Sequence, residues 1–324
     1  MNYSCCYVLV DNKTLLFYNQ MMISLSSLRY TGFKGNVYIV TDNETAILLN
    51  QRRSELDELN AKIVAINIEE GYTEKEKSRY LKTSLRKYIQ GDVLFVDTDT
   101  IFASCLPDWI SDDDIAMAID RNGLDDDYPY RWHTYLFKKC GMDLQVNDRK
   151  FLNSGVIWMR DTGAVHSIFE KWHKLWKEKR ILGIPYDQAS LNYLWKHEDI
   201  TINILDNRFN VQIGQRYFSP SLLCKALILH YYNIKQNDRV FLLNNPDVWK
   251  IDYRDERIQQ IIHDPASAFS DCIWMKKDGV SGEYCNTHSF HLGLEMYKKH
   301  KRVFSIFEAF CRLLKKIRND KNKF

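Results

Sequence analysis

The sequence of 324 residues is poor in the residues that form long flexible linkers, with only 13 Gly and 6 Pro. It lacks any run of about 18 apolar residues, the length that a membrane-spanning helix needs. Its first short apolar run, from Tyr7 to Val10, follows no basic segment and stops at Asp11. We therefore expect a first β-strand there rather than a signal peptide, and we expect no long linker between folded parts.

The cysteines show no Cys-x-x-Cys spacing, which argues against a zinc ribbon or a dithiol redox site. Because the N-terminal sequence predicts no export, we expect reduced and mostly buried thiols rather than a disulfide framework. There are eight of them, at Cys5, Cys6, Cys105, Cys140, Cys224, Cys272, Cys285 and Cys311.

Net positive charge is confined to the C-terminal segment. Residues 297–324 contain ten Lys/Arg and two Asp/Glu, a net charge of +8, whereas the whole chain carries only +3. The remainder is therefore acidic, at −5, which excludes a uniformly basic nucleic-acid-binding protein. A mildly acidic body with a basic tail is typical of a protein that meets an anionic surface at one end.

Short apolar runs alternate with segments of helical spacing, an order that predicts an α/β fold with a mostly parallel sheet and helices on both faces. In such folds the ligand binds at the carboxyl ends of the strands. The strand-like runs are Cys6–Val10, Asn36–Val40, Lys62–Ile66, Asp92–Val96, Ile115–Ile119, Val156–Met159 and one ending at Leu229. The helical segments are Phe17–Tyr30, Glu44–Leu59, Ser78–Gln90 and Val165–Lys179.

Two long segments break this alternation. Residues 120–152 indicate a surface excursion, and residues 236–296 have weak periodicity and many turn-forming residues, which indicates an irregular extension. If the protein acts on a large substrate, these segments are where we expect its specificity to lie.

Two carboxylates follow a buried strand: Asp97 and Asp99 come directly after the apolar run that begins at Asp92. Residues i and i+2 of an extended segment point to the same side, so both carboxylates face one spot at the ligand-binding edge. Two such groups repel each other unless a cation lies between them, which favours a divalent metal ion. The alternative is a solvated turn after the strand.

Residues 92–102 resemble the Asp-x-Asp segment of glycosyltransferase family 8 and its GT-A relatives. Three further matches stand in the family's order: Arg79 in the preceding helix, Asn-Ser-Gly at 153–155 and Asp-Gln at 187–188. The resemblance covers about residues 5–235. It implies a GT-A fold, which is Rossmann-like, and the transfer of a sugar from a nucleotide diphosphate.

By this resemblance, Asp97 and Asp99 bind the metal that bridges the two phosphates, and a later histidine completes the site. The candidate histidine is His230, although a strand-end histidine can also be purely structural. Two Asp and one His suit Mn²⁺ or Mg²⁺. The family's Gly, Pro and Trp are absent after His230, and Lys235, the candidate contact to the leaving diphosphate, stands one place early.

The resemblance further implies that Asn153 and Asp187 hold the hydroxyls of the donor sugar, that Ser154 belongs to the donor-binding residues and that Gln188 lies near the anomeric carbon. Asp187 and Gln188 are therefore the candidate catalytic residues. For Asn153 the alternative is a buried amide that fixes the turn at Gly155. The family retains the anomeric configuration, and because an amide is a poor nucleophile we expect same-face transfer rather than a covalent intermediate.

Asp11 follows the first strand, where the family binds nucleobase and ribose, although a turn aspartate is an equal alternative. Arg79 is expected to contact phosphate or sugar. We expect Ser78 to cap the helix of Arg79, and we place Lys82 and Arg86 away from the core, as donor contacts or as a solvated basic face. This orientation follows from a predicted buried stripe of Leu81, Leu85 and Tyr88.

Together these features predict a hexosyltransferase that uses a UDP-sugar and a glycan or glycolipid acceptor. A catalytically silent sugar-nucleotide or glycan-binding protein on the same fold is the alternative, and the intact Asp97, Asp99, Asn153 and Asp187 argue against it. A nucleotidyltransferase would need a glycine-rich phosphate loop after its first strand, and residues 10–15 contain no glycine.

We expect a catalytic domain at 1–235, an irregular extension with a possible acceptor side at 236–300, and an amphipathic tail helix at 301–324. The tail predicts peripheral attachment to the inner, cytoplasmic face of the plasma membrane, with packing on the protein's own body as the alternative. Its apolar face comprises Val303, Ile306, Phe307, Phe310, Leu314 and Ile317, flanked by Lys301, Arg302, Arg312, Lys315, Lys316 and Arg318.

Overall fold

A computed structural model describes most of the chain, and it divides into two compact units, Met1–Asp271 and Cys272–Phe324. The predicted domain boundaries at 235 and 300 remain predictions. The described residues are 2–11, 14–123, 127–142, 150–198, 200–213, 225–231, 247–265 and 299–321.

The first unit is built on two sheets. Its strands are β1 (Ser4–Leu9), β2 (Val37–Asp42), β3 (Ala61–Ile66), β4 (Val93–Val96), β5 (Thr100–Phe102), β6 (Ile115–Ile119), β7 (Leu152–Met159), β8 (Asn203–Ile204), β9 (Val211–Gln212) and β10 (Ile228–His230). Seven strands form the large sheet in the order β3-β2-β1-β4-β7-β6-β8, and β5-β10-β9 form the small one. In the large sheet β7 runs antiparallel to both neighbours, while the other pairs are parallel. The predicted mostly parallel sheet is confirmed.

The helices of the first unit pack around its sheets, and the second unit is described by itself. They are α1 (Leu16–Tyr30), α2 (Asn43–Asn50), α3 (Arg53–Glu58), α4 (Glu74–Thr83), α5 (Asp127–Lys139), α6 (Gly163–Arg180), α7 (Asp187–His197), α8 (Glu256–His263) and, in the second unit, α9 (Lys301–Lys321). Apolar side chains of α4, α6 and α7 pack with β4, β6 and β7 in one core cluster that includes Leu81, Trp172 and Leu191. This burial of one apolar helix face is what holds the helices on the sheet.

Two predicted helices have different bounds in the structure. The segment Glu44–Leu59 forms two short helices, α2 and α3. Helix α4 begins at Glu74, where Thr73 and Glu76 form a reciprocal capping box. Ser78 therefore lies inside the helix, and its predicted role as the cap is wrong.

The segment 120–152 is more than a surface excursion, because it contains α5. Leu136 and Phe137 of this helix are buried with Phe151 and Ile184 in a second apolar cluster. The extension 236–296 likewise contains α8, whose Ile258 is buried. The weak periodicity expected of residues 236–296 does not hold for α8, whose buried Ile258, Ile261 and Ile262 recur at helical spacing.

Four cysteines lie among the described side chains, and none of these forms a disulfide. Cys5, Cys6 and Cys140 are buried, as expected of reduced core thiols, whereas Cys105 is exposed. In the part of the chain that the structure describes, no helix combines the length and the apolar character needed to cross a membrane.

Candidate active site

The two carboxylates after β4 are held by backbone contacts on both sides. The amide of Asp97 donates to the carbonyl of Gly155 in β7 at 2.8 Å. The hydroxyl of Thr100, where β5 begins, donates to the carbonyl of Asp97 at 2.9 Å. The side chains of Asp97 and Asp99 remain 28% and 20% exposed, so they stay accessible at the edge of the sheet.

His230 reaches these carboxylates because β10 pairs antiparallel with β5, which sets His230 opposite Thr100. Its Nε2 lies 3.3 Å from Oδ1 of Asp99 and 4.0 Å from Oδ2 of Asp97. One ligand atom from each of the three residues lies within 4.8 Å of the others. Two carboxylates and one imidazole fit a divalent cation such as Mn²⁺ or Mg²⁺.

A second hydrogen bond orients the imidazole. Nδ1 of His230 lies 3.0 Å from Oδ1 of Asn210, whose own Nδ2 donates to Oδ1 of Asn153 at 3.0 Å. This amide orientation makes Nδ1–H of His230 the donor, so Nε2 is the ring nitrogen that faces the two carboxylates. Histidines that bind metals commonly use such a partner. Asn210 was not predicted, because a lone asparagine outside a motif gives no sequence signal.

Gly155 gives the imidazole its space. A Cβ at this position would lie 2.6 Å from Nδ1 of His230 and would overlap its Cε1. The amide of Gly155 donates to Oδ1 of Asn153 at 2.9 Å, and Nδ2 of Asn153 donates to Asp120 at 2.9 Å. Asn153 therefore fixes the backbone at Gly155, and its contact with a donor sugar stays a prediction.

The second group of polar side chains surrounds Asp187, the first residue of α7. Its carboxylate is 3.0 Å from Nε of Arg79 and accepts a hydrogen bond from the hydroxyl of Ser154 at 3.0 Å. Gln188 points back to β7, where its Nε2 donates to the carbonyl of Leu152 at 2.8 Å. The residues expected to contact the donor thus lie together at the N-terminal end of β7.

Lys82 and Arg86 are buried, only 3% and 2% exposed, so their predicted position away from the core is wrong. Nζ of Lys82 lies 3.0 and 3.2 Å from the two oxygens of Asp97. Arg86 donates to the carbonyl of Gly91 at 2.9 Å and pairs with Asp161 at 2.5 Å. Both cations tolerate burial because each meets a carboxylate, which the apolar stripe alone does not reveal.

The charges shift the pKa values of the three carboxyl groups in different directions. Burial raises the pKa of Asp97, with Lys82 acting against this rise. Burial also acts on Asp99 and Asp187, but His230 lowers the pKa of Asp99, and Lys82 and Arg79 lower that of Asp187, below the usual range. Asp97 is therefore the carboxylate that gains most from an additional cation.

Asp11 caps α1 in the structure: its two carboxylate oxygens accept from the amides of Leu15 at 3.1 Å and Tyr18 at 2.8 Å. Its predicted contact with the nucleotide has no test here and stays a prediction. Lys235 lies outside the described residues.

The sheet order with one antiparallel strand, and an Asp-x-Asp sequence at the end of a central strand, define a GT-A glycosyltransferase fold. The family model for nucleotide-diphospho-sugar transferases matches residues 37–231, more than half of the chain. The protein therefore belongs to this family and is a glycosyltransferase.

Comparison with solved structures gives matches of low sequence identity. The apo form of the glycosyltransferase GlyE from Streptococcus pneumoniae TIGR4 has 18% identity and a TM-score of 0.50, and the match covers 77% of this chain and 59% of that one. The galactosyltransferase LgtC has 15% identity, a TM-score of 0.48 and coverages of 76% and 95%. Mouse xyloside xylosyltransferase 1 has 13% identity, a TM-score of 0.47 and coverages of 71% and 97%. A search of curated proteins found no significant match.

Proposed function

We propose that this glycosyltransferase moves a hexose from a UDP-sugar to a hydroxyl group of a glycan or glycolipid, with retention of the anomeric configuration. The observation that carries the proposal is the cluster of Asp97, Asp99 and His230 beside the buried carboxylate of Asp187. The cluster would bind the diphosphate of a donor through a cation, and Asp187 would bind the donor's sugar.

Asp97, Asp99 and His230 would hold a divalent cation, Mn²⁺ or Mg²⁺. When bound, such a cation neutralises the negative charge that develops on the leaving nucleoside diphosphate. The hydrogen bond from His230 to Asn210 supports this assignment, because it engages Nδ1 and leaves Nε2 as the ring nitrogen that faces the carboxylates.

The residues near Asp187 would hold the sugar. The lowered pKa of Asp187 keeps it ionised at neutral pH, so it can accept hydrogen bonds from sugar hydroxyls. Asn153 and Ser154 line the same strand end. Because Nε2 of Gln188 is bound to Leu152, its Oε1 is the atom left for the sugar. An amide oxygen is a poor nucleophile, which favours same-face transfer with the leaving phosphate accepting the acceptor's proton.

Aromatic side chains beside α7 support a glycan acceptor. Tyr186 directly precedes Asp187, and its ring lies 5.5 Å from that of Trp132, which stacks on Tyr135 at 5.9 Å. Tyr186 is 36% exposed and Tyr135 is 53% exposed. Exposed aromatic rings with polar tips are suited to binding surfaces that contact both apolar and hydroxyl-bearing groups.

A thermal-shift and hydrolysis screen of UDP-sugars, with Mn²⁺ or with EDTA, tests the proposal. The true donor should raise the melting temperature and be hydrolysed only with the cation, since binding to the folded state stabilises it. Asp97→Asn and Asp99→Asn should abolish both effects, whereas the surface variant Asp57→Asn should behave as the wild type.

Asp187→Ala should lower turnover strongly while it leaves the affinity for UDP unchanged, because its carboxylate would contact only the sugar. Full hydrolysis in EDTA would overturn the metal assignment. Stabilisation by a UDP-sugar without hydrolysis or transfer to any glycan would instead establish the silent binding protein.

A further inference from the structure

Lys82 lies where the two parts of the candidate site meet. Its Nζ is 3.0 Å from Oδ1 of Asp97 and 3.8 Å from Oδ2 of Asp187. The ring of Phe95 lies 4.9 Å from the same atom, on the side of the sheet. Among the described residues, Lys82 is the cation that is paired with both the metal-side and the sugar-side carboxylates.

Both oxygens of Asp97 lie within hydrogen-bond distance of Lys82, at 3.0 and 3.2 Å. A divalent cation bound to Asp97 and Asp99 would use the same oxygens, and it would repel the nearby ammonium. Lys82 therefore competes with the cation for Asp97.

The ammonium group of Lys82 has a second anionic partner, Asp187. Asp187 is 4% exposed and is already near Lys82, and a buried ammonium needs such an anion to remain charged. The anionic diphosphate of a donor offers further oxygens of the same kind.

We propose that Lys82 is an exchangeable counter-ion: it neutralises Asp97 while the site is empty, and it passes to the donor's diphosphate when a divalent cation takes Asp97. This inference rests on the proposed function, for which it names the side chain whose positive charge receives the leaving group. The charge of Lys82 thus opposes binding of the cation alone and favours binding of the donor.

The test is Lys82→Met in the full-length protein, with Mn²⁺ and UDP as probes in isothermal titration calorimetry. Without nucleotide, the variant should bind Mn²⁺ about tenfold more tightly, because a repelling charge is gone. With Mn²⁺ present, it should bind UDP roughly tenfold more weakly, the loss expected for one charged hydrogen bond. Lys82→Arg should resemble the wild type in both measurements.

The matched control is Lys87→Met, which removes the same charge from an exposed position nearby. Unchanged or weaker Mn²⁺ binding by a folded Lys82→Met variant would overturn the inference. No Mn²⁺ binding by the wild type would instead remove the metal assignment of the proposed function.

Nuclear magnetic resonance of lysine NH₃⁺ groups in the wild type covers the case in which Lys82→Met does not fold. Lys82→Arg identifies the signal by its disappearance. Mg²⁺ alone should shift this signal, and UDP should shift it again. If the chemical shift of the Lys82 signal stays unchanged at saturating Mg²⁺, the ammonium does not exchange partners.

Discussion

At the scale of single residues, the site depends on Gly155, which has no side chain and so leaves room for the imidazole of His230. Gly155 lies in β7, and the imidazole of His230 packs where its Cβ would be. The same residue accepts the amide of Asp97 with its carbonyl and donates its own amide to Asn153. One glycine therefore sets the position of a candidate metal ligand on each side.

We predict that Gly155→Ala displaces His230 and weakens Mn²⁺ binding by about 10–100-fold, the range typical of a disturbed metal ligand. Calorimetric titration with Mn²⁺ measures the change. The matched control is Gly163→Ala at the start of α6, where a Cβ meets no atom within 4 Å. Wild-type Mn²⁺ affinity in a folded Gly155→Ala variant would show that His230 is not a ligand.

The sequence predicted some residues of this site and missed others for a physical reason. Asp97 and Asp99 were predictable because a buried strand and the period of two place them on one side. Asn210 and Lys82 were not, since their roles arise from a partner that is distant in the chain. An amphipathic pattern also assumes that charged residues face solvent, and the carboxylate that pairs with Lys82 breaks that assumption.

At the scale of elements, α4 and α6 meet through a polar contact inside an apolar interface. Nδ1 of His173 in α6 lies 2.8 Å from the hydroxyl of Thr83 in α4, and its ring packs edge-on against Tyr80 at 4.7 Å. Burial, with smaller effects from Lys87 and Lys177, lowers the pKa of His173 from 6.5 to about 4.

This shift predicts acid sensitivity of the α4–α6 contact. Between pH 6.5 and about 4 the unfolded chain protonates His173 while the folded chain does not. Stability is therefore lost as the pH falls through this range. Urea unfolding should show that His173→Gln removes about 1–2 kcal/mol of the loss between pH 7 and pH 5, after allowance for partial solvent access.

Exposed His197, at the end of α7, provides the control: His197→Gln should keep the acid sensitivity of the wild type. The prediction fails if His173→Gln loses as much stability as the wild type over the same pH change.

The helices and strands themselves were largely predictable, because alternating runs of period 2 and 3.6 mark β1 to β4 and α1. The contact between α4 and α6 was not predictable. The hydrophobic pattern of a helix shows which face is buried, but not which other helix packs against that face.

At the scale of the whole molecule, charge is unevenly distributed. The acidic body contrasts with the basic tail, and the described side chains of its helix α9 include exposed apolar ones: Val303, Ile306, Phe307, Phe310 and Leu313. We propose that α9 binds the anionic inner face of the plasma membrane and keeps the enzyme in the cytoplasm near a glycolipid acceptor. Basic residues near such a surface contribute about 1 kcal/mol each, which salt reduces.

We predict that the full-length protein sediments with anionic vesicles at low salt and that removal of residues 301–324 abolishes this. High salt and zwitterionic vesicles should give the same loss, because the attraction is electrostatic. The truncated enzyme should still hydrolyse its donor in solution. Unfolding or aggregation after truncation would show that the tail helix belongs to the core of the protein.

The pairing of β5 with β10 has a consequence for biosynthesis. A ribosome completes Asp97 and Asp99 long before it reaches His230, so the nascent chain carries both carboxylates without the imidazole. Lys82 in α4 and Asp97 after β4 are both synthesised before β10. During this interval Lys82 can therefore already neutralise Asp97. Any message that ends before Ile228 yields strands of the large sheet but an incomplete ligand set. If the proposed cation site is correct, full affinity for the cation is expected only of a translation product that has been carried through to β10.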